Sequence, residues 1–87
     1  MKEFNFLEAG YKVGDRVWDL WSARFHTIVN LSPEYAYCIR LNNGLVCTKT
    51  GLNHVDDITP RFFPNAFEIP ASAYERWRPE LELDAKV

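Results

Sequence analysis

The stretch Tyr11-Lys12-Val13-Gly14-Asp15-Arg16-Val17-Trp18-Asp19 decides how this chain is to be read, because it runs a turn straight into a strand. Gly14 admits backbone conformations that other residues resist, and the Asp15 carboxylate can accept main-chain N–H groups, so the pair makes a turn. A first strand then covers residues 16–20, with Val13 and Val17 pointing inward.

Downstream, Phe25, Thr27, Val29 and Leu31 alternate with His26, Ile28 and Asn30, the period-two pattern of a strand. The first set is expected to face the core, which leaves His26 exposed. Ser32-Pro33-Glu34 ends this strand, since Pro cannot donate to a ladder. Residues 35–41 alternate again, with Tyr37, Ile39 and Leu41 on one face and Ala36, Cys38 and Arg40 on the other. Asn42-Asn43-Gly44 fits a three-residue hairpin in which Gly44 takes the left-handed conformation as a bulge. That register sets Leu41 opposite Leu45 and Ile39 opposite Cys47, placing Cys47 in the core and Cys38 outside it. A two-residue turn would bring both thiols to one face.

Thr50-Gly51-Leu52-Asn53 reads as a further turn, and residues 54–58 as a short strand or loop. Pro60, Pro64 and Pro70 then punctuate a segment expected to cross the surface in extended form, with Phe62, Phe63 and Phe67 as plugs. Pro70 suits the first position of a short helix over residues 71–77, stopped by Pro79. Leu81, Leu83, Ala85 and Val87 alternate with Glu80, Glu82, Asp84 and Lys86, the signature of a terminal strand with one wet face and one dry face. Phe4, Phe6 and Leu7 form either a short strand or an arm on the barrel. The expected fold is mostly β: a small barrel of about five antiparallel strands in a single domain. Its core is residues 11–58, its crossover and short helix residues 59–79, and its terminal strand residues 80–87.

An 87-residue chain has room for one core, burying roughly 60 to 65% of its unfolded surface. Its 47% hydrophobic and 15% aromatic content argues against disorder. Ten Lys and Arg against twelve Asp and Glu give a net charge of −2, so the global positive field that non-specific nucleic-acid binding needs is missing. No apolar run reaches the length of a membrane span, and Lys2, Glu3 and Glu8 interrupt the place of a signal peptide, which points to a soluble, cytoplasmic protein. Two cysteines are too few for a disulfide framework and are expected as reduced, partly buried thiols.

Catalytic parts are sparse. His26, His54, the cysteines and the pair Asp56-Asp57 share no spacing known to join a nucleophile to a base, so no catalytic residues are assigned and the chain is read as non-enzymatic. His54-Val55-Asp56-Asp57 looks like turn chemistry. The cysteines and histidines lack a zinc spacing, and the glycines form no phosphate-cradling loop, so neither metal nor cofactor is expected. Aromatics are the stronger signal, because Trp, Tyr and Arg are the types enriched where proteins bind. The candidate partner-binding residues are Trp18, Trp21, Tyr35, Arg40, Trp77 and Arg78, and the candidate strand-addition edge is Leu81, Leu83, Ala85 and Val87. Trp18, Trp21 and Arg40 also suit a module binding single-stranded nucleic acid or a nucleotide, but Glu80, Glu82 and Asp84 weigh against it.

A set of short pieces spans most of the chain: Val13-Gly14-Asp15-Arg16-Val17, Thr27-Ile28-Val29, Ile39-Arg40-Leu41 before Asn43-Gly44, Thr50-Gly51, Asp57, Pro60-Arg61-Phe62-Phe63-Pro64, and Glu80-Leu81-Glu82-Leu83-Asp84-Ala85-Lys86-Val87. In that order they resemble a group of small phage and prophage proteins with an SH3-like barrel. The resemblance implies a phage setting and supplies no activity; the role expected beside it is that of a non-enzymatic accessory protein in the host cytoplasm, binding a host or viral protein through the barrel face or the terminal strand. A homodimer paired through residues 80–87 is one version. Similar proteins usually carry Gly before the Thr-Val of the second strand; here Arg24-Phe25-His26 makes that loop bulkier.

Overall fold

The computed structural model describes residues 4–69. Five strands form in chain order: β1 (Arg16–Asp19), β2 (Arg24–Leu31), β3 (Ile39–Leu41), β4 (Val46–Cys47) and β5 (Phe62–Phe63), with no helix among the described residues. They pair antiparallel in the order β4-β3-β2-β1-β5. The ladder is not closed between β4 and β5, so the sheet is a curled half-barrel. The helical turn expected over residues 71–77 and the terminal strand expected over residues 80–87 lie outside the described residues.

The opening turn forms as its chemistry dictates. Gly14 sits at φ +100°, and the Asp15 carboxylate accepts the Lys12 N–H at 2.9 Å. The bend feeds β1, whose Val17 is fully buried. Val13 lies before the turn and is 56% exposed, contrary to expectation, because the strand's alternation does not extend back through Gly14.

The facing of β2 is the main correction. His26 and Ile28 are buried while Phe25 and Val29 are exposed, so the strand presents the opposite face to the core from the one its apolar residues suggest. Val17 of β1 pairs with His26, and the buried Asp19 accepts the His26 ring N–H, which makes a polar residue tolerable inside. A bulge between Ile28 and Asn30 then absorbs Val29 and resets the phase, pairing Leu31 with Ile39.

The hairpin from β3 to β4 has the expected register, with Ile39 opposite Cys47, Leu41 N–H donating to the Leu45 carbonyl at 2.8 Å, and Gly44 at φ +89°. Cys38 is nevertheless buried in the same cluster as Cys47, where it was expected outside. The ladder of β3 begins at Ile39, and the bends at residues 35–37 break the alternation that would have turned Cys38 outward. Both thiols are free.

The main core joins Phe6, Val17, Ile28, Cys38, Ile39, Leu41, Cys47 and Phe62. Phe6 makes the N-terminal arm part of it: its N–H donates to the Lys49 carbonyl, and its ring meets Phe4 and Tyr11 edge-on at 5.0 and 4.9 Å. A second cluster, Leu20 and Phe63 with Trp18, Trp21 and Ile69, lies where β5 crosses β1. The segment expected as an extended crossover thus contributes a paired strand. Phe62 and Phe63 plug as expected, whereas Phe67 is 98% exposed, because it follows the end of β5 in a turn capped by Asn65.

Candidate functional site

Asp19 is the inward residue two places after Val17, and it has no exposed surface. A carboxylate placed there needs donors, and five converge on it. Arg61 donates through Nε to Oδ1 at 2.8 Å and through Nη2 to Oδ2 at 2.9 Å. The Ser22 hydroxyl and the His26 ring reach Oδ2 at 2.8 and 3.0 Å, and the Trp21 N–H reaches Oδ1 at 3.0 Å. Burial pushes the Asp19 carboxyl up, but the Arg61 and Ser22 hydrogen bonds and the guanidinium charge outweigh it and hold it below its ordinary value. Arg61 also stacks over Trp21 at 4.1 Å and Phe62 at 5.1 Å and bonds Asn53, so it rivets β5 and the loop before it to β1.

Ser22, His26 and Asp19 invite comparison with a nucleophilic relay, but the geometry is different. A relay sets the serine on one ring nitrogen and the carboxylate on the other. Here Ser22 at 3.3 Å and Asp19 at 3.0 Å both address Nε2, and the Ser22 hydroxyl already bonds the carboxylate. A carboxylate only accepts, so Nε2 carries the proton. The assembly is a structural clamp. Its signal in the sequence is the carboxylate at an inward position of β1; the expectation of an exposed His26 hid it.

Two of the predicted partner-binding residues come together elsewhere. The register pairs Asn30 of β2 with Arg40 of β3 and Arg40 with Val46 of β4, so these residues form a row across the sheet. The loop over residues 32–38 folds beside this row, held by the Ser32 N–H to the Cys38 carbonyl at 2.8 Å and the Tyr35 N–H to the Ser32 carbonyl at 3.0 Å. Between row and loop lies a groove of about 400 Å³ lined by Asn30, Ser32, Tyr35, Tyr37, Arg40 and Val46. Tyr35 is 66% exposed, while the Tyr37 hydroxyl accepts the Val55 N–H at 3.1 Å and is thereby fixed. Cys38 reaches the groove from the core side; burial pushes its thiol up, partly opposed by a backbone hydrogen bond and the charge of Lys49. Among the described residues no carboxylate lies within ion-pair distance of Arg40.

The predicted tryptophans sit apart from this groove. Trp18 meets Phe25 edge-on at 5.1 Å, and Arg16 lies 4.7 Å over Phe25. Trp18 pairs with Phe25 and Arg40 with Asn30, so the two sites lie five positions apart along β2, roughly 16 Å at strand rise. Trp21 is half-buried under Arg61. Trp77, Arg78, Leu81, Leu83, Ala85 and Val87 lie outside the described residues. His54 and Asp57 make the expected turn, with the His54 N–H donating to the Asp57 carboxylate at 3.1 Å. Among the described residues no group of three or more His, Cys, Asp or Glu could hold a metal, and no helix is long and apolar enough to cross a membrane.

Comparison with protein-family models, with curated proteins and with solved structures finds no match to this chain.

Proposed function

We propose that this chain is a non-enzymatic binding module on an SH3-like scaffold, engaging another protein through the groove between residues 32–38 and the Asn30–Arg40–Val46 row. The observation that carries the reading is the meeting of an exposed tyrosine, a fixed tyrosine ring and an arginine without a carboxylate partner among the described residues in one concave site. Aromatic and Arg side chains combine large contact area with directed hydrogen bonds, which is why they anchor interfaces. The sequence's likeness to small phage and prophage proteins makes a host or viral protein in the host cytoplasm the natural partner, with an accessory role.

Capture from infected or lysogenic cells tests this with three baits: the unaltered chain, Tyr35→Ala and Trp18→Ala. The reading expects a specific partner on the unaltered chain and on Trp18→Ala, and its loss on Tyr35→Ala. Loss on Trp18→Ala alone would move the site to the aromatic surface of β1 and β2.

That surface supports a second reading. Arg16 stacked over Phe25 beside Trp18 is an exposed platform of the kind on which single-stranded nucleic acid or a nucleotide base stacks. Titration with a single-stranded oligonucleotide at low and high salt discriminates, because phosphate contacts weaken steeply with salt. No binding at low salt dismisses this reading.

A further inference from the structure

We infer that the groove takes an extended peptide segment added to the edge of β4, with an acidic side chain directed to Arg40; this deepens the protein-binding reading and rests on it. The hydrogen-bond phase of the hairpin leaves the outer side of β4 unpaired among the described residues. Leu41 donates to the Leu45 carbonyl at 2.8 Å, so Leu41 and Leu45 are a bonded pair of the ladder. In an antiparallel ladder bonded and non-bonded pairs alternate, which makes Arg40 and Val46 a non-bonded pair. The Val46 N–H and carbonyl therefore point away from β3, off the sheet edge. β4 is the last strand in the order, and among the described residues nothing pairs with that side.

Val46 thus offers a main-chain donor and acceptor at the rim of the groove, and its side chain lines the groove next to Arg40. A strand that bonds to Val46 would place the residue opposite it on the same face as Val46 and Arg40. Arg40 lies one strand inward, about 4.8 Å from Val46 in the pairing direction. Non-bonded pairs also bring side chains closest, so the guanidinium sits beside Val46 and within reach of a carboxylate on the added strand. Glu34 is the one acid in the loop over residues 32–38, while Lys49 adds positive charge near Cys38. Charge complementarity therefore selects a segment with acidic residues at alternate positions, and Tyr35 and Tyr37 supply the wall for its neighbours.

The experiment titrates the isotopically labelled full chain with a synthetic octapeptide of alternating Glu and Leu. Controls are its Gln counterpart, the Glu peptide N-methylated at alternate residues, and inorganic phosphate. Amide signals of Arg40, Val46 and Cys47 are expected to shift with the Glu peptide. The Gln peptide and the Arg40→Ala chain should each bind at least about tenfold more weakly, the loss of one charge-assisted contact. N-methylation on the edge-facing side should abolish the shifts. Equal binding of Glu and Gln peptides, or no shift at Val46, overturns the inference. Phosphate moving the same amides as fully as the peptide overturns it in favour of a simple anion site. Shifts that follow protein concentration without peptide assign the edge to a second copy and overturn it too. A partner captured through Tyr35 alongside a failed titration leaves the binding-module reading standing and removes only the edge-addition mode.

Discussion

Asp19 has both carboxylate oxygens committed, Oδ1 to Arg61 and the Trp21 N–H, Oδ2 to Arg61, Ser22 and His26. Removing its charge leaves the Arg61 guanidinium, whose side chain is only 11% exposed, without its counter-charge. Breaking one side of such a pair costs about 3–5 kcal/mol, so Asp19→Asn is expected to lower the unfolding free energy by that amount, read as a lower urea midpoint at constant slope. The same residue sets the acid limb of stability. Its folded pKa is depressed, so its contribution is full above the ordinary carboxylate value of about 3.9 and is lost as pH falls through the lower folded value. Stability measured by urea titration from pH 6 downward should therefore fall below about pH 4 in the unaltered chain, and fall less steeply in Asp19→Asn. Parallel curves would show that the clamp does not govern the acid limb.

At the scale of elements, the turns were legible and the strand facing was not. Gly44 and Gly51 occupy positive φ at +89° and +84°, a demand that glycine advertises in any sequence. Gly51 has a further role: its carbonyl accepts the N–H groups of Arg61 and Phe62, and a Cβ there would overlap the Phe62 carbonyl oxygen. Gly51→Ala combines strained φ with that overlap and is expected to destabilise by about 2 kcal/mol or more, with β5 detached from the turn, as read by urea unfolding. β2 misleads because His26 counts as polar in any hydrophobic pattern, while its burial depends on Asp19 and Val29 is absorbed by a bulge. The cysteines offer a second check at this scale. Burial, with the neighbouring Cys38, pushes the Cys47 thiol up to about 12, and Cys47 lies wholly within the core. A thiol reagent at mild alkaline pH should modify Cys38 first, from the groove, and Cys47 only as fast as the protein unfolds. Equal rates for both in the folded chain would contradict the placement of β4.

On the scale of the whole molecule, an arginine clamp holds the β1–β5 end of the curled sheet, and β4, which pairs only with β3 among the described residues, marks the other. Arg61 and Asp19 are 42 positions apart, a pairing that no local pattern reveals. Arg40 and Tyr35 were recognisable by residue type, but the row that joins Asn30, Arg40 and Val46 exists only through the strand registers, and Tyr37 gains its fixed ring only through Val55. The binding claim is therefore a claim about register. Its most direct test is the affinity of the captured partner for the unaltered chain and for Arg40→Glu, measured by titration calorimetry beside their urea midpoints. At least about a tenfold loss of affinity is expected with the midpoint unchanged, since Arg40 is exposed and outside the core. Full affinity retained by Arg40→Glu would contradict the binding claim.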